Sequence, residues 1–126
     1  MALSYCWMST GETRTDVLQG TLDLLVLKTL ETMGPLHGWG IARRIEQVSE
    51  NTLRLNQGTL YPALVRLEQR GWIRSKWGLS GNQRRARFYD LTAKGRKQLV
   101  LEETRWDRMS AIISRVRQTV PEGGTP

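Results

Sequence analysis

Residues Leu55 to Gly71, LNQGTLYPALVRLEQRG, constrain this chain more than any other stretch. Leu60, Leu64 and Leu67 recur at i, i+4 and i+7, which makes one apolar stripe on a helix turning about 100° per residue. Ala63 flanks the stripe; Gly58, Thr59, Pro62, Arg66 and Gln69 fall on the opposite half, with Tyr61 and Glu68 at the border. Asn56 is a good N-cap, because its side-chain oxygen can accept from backbone N–H groups two or three residues on. Gly71 follows the last turn, where a left-handed stop favours glycine. Pro62 departs from the pattern: inside a helix it lacks an N–H and crowds the carbonyl of Gly58. Gly58 and Pro62 therefore leave a smooth, narrow face at the helix front. Two readings stay open for it: a surface helix with an awkward proline, or a thin face that can approach phosphates and base edges closely.

The flanking sequence supplies two helices ahead of this one. Asp16 is a plausible cap, followed by Leu18, Leu22, Leu25, Val26, Leu30 and Met33 at helical spacing, and Gly34-Pro35 ends that run. A second helix is expected from about Gly38 to Ser49. Its apolar side is Trp39, Ile41, Ala42, Ile45 and Val48, with Arg43, Arg44 and Gln47 facing away. Three such helices, the last two joined by a short link, make a helix-turn-helix pattern.

Behind Gly71 the pattern changes. Trp72 to Trp77 mixes aromatics and charge like a strand, Gly78 to Asn82 supplies turn residues, and Arg84 to Leu91 reads as the return strand. A two-stranded hairpin attached to a helix-turn-helix is a wing. Arg84, Arg85 and Arg87, with Arg74 and Lys76 across from them, would reach a phosphate backbone or minor groove. Edge strands also carry charge merely to discourage aggregation, but three arginines within four residues exceed that need.

Thr92 can cap a long final helix from about Ala93 to Gln118. Leu99, Trp106, Met109, Ile113, Val116 and Val120 follow a heptad register interrupted at Glu102, a seam adequate for helix pairing in a dimer. The alternative is that this stripe packs on the chain's own core.

Charge separates the function classes. The 126 residues carry a formal net charge of +7, but Arg43 to Lys97 hold thirteen basic and four acidic residues, a local +9 that leaves −2 for the remainder. Such clustering suits a polyanionic partner. One cysteine, Cys6, permits no intrachain disulfide and builds no metal site with the lone His37, which is expected to cap or pack. No nucleophile–base pair, carboxylate pair or phosphate-binding glycine motif is visible, so the expectation is no catalytic residue, no enzyme, no cofactor and no metal. No apolar run reaches about 18 residues, and residues 1–14 lack the pattern of a signal peptide, so no membrane association is expected and a cytoplasmic location is. The expected organisation is a flexible extension over 1–15, a winged helix-turn-helix over 16–92, a dimerisation helix over 93–120 and a flexible tail over 121–126: a mainly α chain with a small β-hairpin.

Four blocks carry a family resemblance. QGTLDLLVL from Gln19, GPLHGWGI from Gly34, GTLYPALVRLE from Gly58 and RRARFYDLTAKGR from Arg84 resemble, in order and spacing, the PadR family of bacterial transcriptional regulators, in its compact form with a single C-terminal helix. The resemblance covers about Val17 to Val116. It implies a homodimeric winged-helix repressor whose third helix enters the major groove of operator DNA while the wing contacts the backbone. It also implies that the C-terminal helices of two subunits pair with the partner's first helix. Carried over, the recognition face is Gln57, Gly58, Thr59, Tyr61, Pro62 and Arg66. The basic residues themselves add Arg43, Arg44, Lys76, Arg84, Arg85 and Arg87 as the expected phosphate contacts. Gln57 stands where the family often has Pro, and Phe88 where it often has Tyr or Lys. Some members bind planar aromatic ligands between tryptophans at the dimer interface, so Trp106 raises a small aromatic effector as a further expectation. The alternatives are a winged-helix module that binds protein without an operator and, more weakly, an RNA binder. The basic helix-and-wing face, without clustered apolar or stacking side chains, favours double-stranded DNA.

Overall fold

The computed structural model describes residues 12–121. Its elements run α1 (Glu12–Met33), β1 (Leu36–His37), α2 (Gly38–Val48), α3 (Gln57–Gln69), β2 (Ile73–Leu79), β3 (Arg85–Leu91) and α4 (Ala93–Gln118). This is a mostly helical winged helix-turn-helix with a long C-terminal helix. The core lies where α1, α2 and α3 meet the base of the sheet. Val26, Leu27, Leu30, Ile41, Leu60, Leu64, Leu67, Ile73 and Leu99 are all sealed from solvent there.

Local chemistry sets most boundaries. Gly34 (φ 80°) and Gly71 (φ 78°) adopt the left-handed backbone that ends α1 and the turn after α3. Asn56 Oδ1 accepts from the Thr59 N–H at 2.9 Å and starts α3. His37 Nδ1 accepts from the Gly40 N–H at 2.9 Å, so the lone histidine caps α2. Thr92 Oγ1 accepts from the Gly95 N–H at 2.9 Å, and its hydroxyl donates to the Gly71 carbonyl at 2.6 Å. That pair of bonds ties the start of α4 to the turn behind α3. Gly95 is required there: a Cβ would sit 2.0 Å from the Trp72 carbonyl oxygen. Lys28 on α1 bridges Glu31 at 2.8 Å and Glu103 on α4 at 3.0 Å, which pulls its pKa up.

Several expectations are corrected. α1 begins at Glu12, so Asp16 lies inside the helix instead of capping it, and residues 12–15 are helical where a flexible extension was expected. Residues 1–11, including Cys6, lie outside the described residues, as do 122–126. The sheet has three strands, in the order β1-β3-β2. Leu36 and His37 pair antiparallel with Tyr89 and Phe88; two residues are too few to show a period of two. Trp39 and Val48 are exposed, not part of the core face of α2, because they overhang the ends of a buried row limited to Ile41, Ala42 and Ile45.

Candidate nucleic-acid interface

The apolar stripe of α3 determines what its other side displays. With Leu60, Ala63, Leu64 and Leu67 driven into the core, Gln57, Gly58, Thr59, Tyr61 and Pro62 are left exposed at the helix front. The wing stands beside that front. Its antiparallel register pairs Ile73 with Leu91, Ser75 with Tyr89, Trp77 with Arg87 and Leu79 with Arg85. Those residues share one face of the hairpin, because side chains alternate along a strand and cross-strand partners point the same way. The face is buried at its base and exposed at its tip. Between tip and helix lies an open groove lined by Gln57 and Tyr61 of α3, Trp39 of α2, and Trp77, Arg84, Arg85 and Arg87 of the wing. Three arginines around one groove, set among the amphipathic rings of Trp39, Tyr61 and Trp77, make a surface that attracts an extended polyanion.

The arginines are not loose. Arg85 and Arg87 place their guanidinium carbons 5.0 and 5.7 Å from the centre of the Trp77 ring, and Arg43 lies 5.2 Å from that of Trp39. Arg87 Nε–H also donates to Ser75 Oγ at 2.9 Å, and the Ser75 hydroxyl donates to Glu68 Oε2 on α3 at 2.7 Å. Burial pushes the phenol pKa of Tyr89, at the base of this face, upward.

The structure gathers some of the expected contact residues and separates others. Gln57, Tyr61, Arg84, Arg85 and Arg87 meet at the groove, and Gly58, Thr59 and Pro62 adjoin it on α3. Arg43 reaches the same region over Trp39, whereas Arg44 is half-buried and does not line it. Lys76 belongs elsewhere: it pairs with Phe88 and projects from the opposite face of the hairpin, beside Arg74 and Asp90. Its even position in the strand put it there, and the hairpin register was needed to see it. Arg66 is displaced further. It lies on the flank of α3 turned to α1, where it donates to Asp23 Oδ1 in an ion pair largely withdrawn from solvent. Burial raises the pKa of Asp23, while the bond to Arg66 and the Arg66 charge pull the other way. Arg66 is therefore committed to holding α3 on α1 and is unavailable at the groove. A counter-charge on a neighbouring helix leaves no trace in the spacing of α3 itself. Trp39 and Trp77 are among the groove residues that sequence reasoning missed; their signal was an aromatic within reach of paired arginines.

The long helix divides in the same way. Leu99 is fully buried in the chain's own core, contrary to its expected place in a dimer seam. Trp106, Met109, Ile113 and Val116 are exposed along one side of α4, at 51, 51, 50 and 66%. Ile112 beside them is exposed too and was not anticipated. Val120 lies beyond the helix, which ends at Gln118 with Thr119 as its cap. A second cleft, between α1 and α4, is lined by Leu24, Leu25, Lys28, Val100, Trp106 and Asp107. Among the described residues, no cluster of three or more His, Cys, Asp or Glu is placed to hold a metal, and no helix is long and apolar enough to cross a membrane.

Comparison with known proteins agrees with this geometry. Residues 26–100 match the family described as transcriptional regulator PadR-like. A solved transcriptional regulator from Clostridium thermocellum is 28% identical, with a TM-score of 0.71 over 79% of this chain and 93% of that one. A PadR family regulator from Clostridium difficile is 29% identical, with a TM-score of 0.64 over 75% of this chain and 96% of its own. An uncharacterized 37.1 kDa protein in a Streptomyces fradiae transposon is 41% identical over 90 residues, 71% of this chain but 24% of the longer protein.

Proposed function

The chain belongs to the transcriptional regulator PadR-like family and is a DNA-binding regulator; on that premise we propose that it is a sequence-specific repressor acting as a homodimer in the cytoplasm. The front of α3 enters the major groove, where Gln57, Thr59 and Tyr61 meet base edges and Gly58 and Pro62 allow a close approach. The start of α3 brings backbone N–H groups and the positive end of a helix dipole towards phosphate. Arg84, Arg85, Arg87 and Arg43 bind the backbone, so affinity falls steeply with salt while carrying little sequence information. The observation that carries this reading is the groove where the exposed α3 front faces three wing arginines. A protein-binding wing would instead centre on apolar anchors without such charge.

Pairing rests on α4. Trp106, Met109, Ile113 and Val116 form an apolar row that the described residues leave half or more exposed, and burial against a second copy removes it from water. The row is also where effector control would enter. Trp106 lines the α1–α4 cleft with Leu24, Leu25 and Val100, a lining suited to a planar aromatic molecule. Titration with a panel of aromatic compounds, followed by tryptophan fluorescence, is expected to give a saturable change for at least one; a flat response across the panel removes the effector from the proposal.

The repressor reading is tested by gel shift against the DNA upstream of the protein's own gene and against a scrambled duplex of equal length. The expected result is a preference for the upstream DNA that survives rising salt. Equal affinity for both sinks sequence-specific recognition.

A further inference from the structure

We propose that Trp77, with Ser75, is a positioning residue that holds the wing arginines in place for phosphate before DNA arrives; the inference rests on the DNA-binding reading above. Trp77 is 56% exposed and yet lies on the α3-facing side of the hairpin, beyond the last buried rung. An indole on a solvated wing tip needs a reason, and its neighbours supply one. Its cross-strand partner Arg87 and the next rung's Arg85 both lie over its ring, at 5.7 and 5.0 Å. Arg87 is fixed a second time, by donation to Ser75 Oγ, and Ser75 is in turn bonded to Glu68 of α3. The chain of contacts thus runs from α3 through β2 to the guanidinium groups of β3. Helix and wing arginines are held in one geometry.

The physical consequence is preorganisation. A free arginine side chain loses rotamer freedom when it binds a phosphate, and a stacked one has already lost part of it. Stacking leaves the guanidinium edge, where the N–H donors lie, open to a phosphate oxygen. The ring therefore acts through the arginines and makes no contact with DNA itself.

A double-mutant cycle separates this from direct contact. Trp77→Ala is expected to weaken binding to a generic DNA duplex by about fivefold, the size of an exposed cation–π contact or two. In an R85A/R87A background the same change should have no effect. Trp77→Phe should recover part of the loss, and Ser75→Ala should cost about twofold, through Arg87 alone. Equal losses in both backgrounds would mean that the ring touches DNA, and no loss in either would mean that it positions nothing; either result overturns the proposal. A DNA-free arm reads the stacking directly. Acrylamide quenching of the emission that W77F removes should increase in R85A/R87A, because the guanidinium groups no longer cover the indole. Duplex binding with unchanged quenching overturns this inference alone, whereas a wild-type protein that binds no duplex overturns the regulator reading and this inference with it. Because Trp77 is exposed, the variants should melt close to the wild type, and a matching melting curve excludes misfolding as the cause.

Discussion

Helices α3 and α4 carry apolar residues at the same three-and-four spacing, and the two rows meet opposite environments. On α3, Leu60, Leu64 and Leu67 are wholly buried within the chain. On α4, Leu99 alone of the expected row is buried, and the row from Trp106 onward is open to solvent. The difference comes from what each helix is tied to. α3 is enclosed by α1, α2 and the base of the wing. α4 is anchored over its first half, by Thr92 on the Gly71 carbonyl, the close approach of Gly95 to Trp72, Leu99 in the core and the Lys28–Glu103 ion pair, and then runs past the core. A periodic apolar row shows that a helix will cover one face. Which chain supplies the cover depends on how far the core extends.

The sharpest way to break this contrast is to cut each row. Leu64→Ala on α3 should cost about 3 kcal/mol of folding stability, because it leaves a cavity in a closed core; chemical denaturation measures it. Arg66→Ala should cost nearly as much, about 3 kcal/mol, by leaving the withdrawn Asp23 carboxylate unpaired. Its pH dependence identifies the cause. Asp23 already has a raised pKa, and without Arg66 it rises further, so the stability of the variant should be lost as pH rises through that value and recover as pH falls into the ordinary carboxylate range. If Arg66→Ala instead lowers DNA preference at unchanged stability, Arg66 reads bases after all.

On α4, Ile113→Asp should leave secondary structure intact and weaken self-association by about 2–3 kcal/mol, the apolar burial lost at one such position. Sedimentation across a concentration series checks it, and an unchanged association constant would mean that the exposed row is not the seam. The smallest effect is at the α3 front. Gln57→Ala should remove about 1–2 kcal/mol of discrimination between preferred and scrambled duplex while leaving stability and scrambled-duplex binding unchanged, as competition binding with both duplexes would show.

Elements were legible in the sequence where a local signal carried them. Asn56, Thr92 and Gly71 announced boundaries that the backbone adopts, and the α3 stripe is the buried face. Features that depend on a second element were not. Arg66 looked like a reading residue because Asp23 is 43 positions away. Lys76 looked like a partner of Arg85 until the register put it on the other face. β1 is a two-residue strand that exists only because β3 offers it an edge. Leu99 and Trp106 share a heptad register, and only the extent of the core divides them. The groove itself was half legible: its arginines stood out as a cluster, and the two tryptophans that steady them did not.

Under the proposed function, two α3 helices read DNA as a pair whose separation is set by α4. Hydroxyl-radical footprinting of the wild-type protein on the DNA upstream of its own gene tests it most directly. Two protected segments centred about one helical turn, ~34 Å, apart are expected. A single protected segment, or uniform protection along the duplex, would contradict the account.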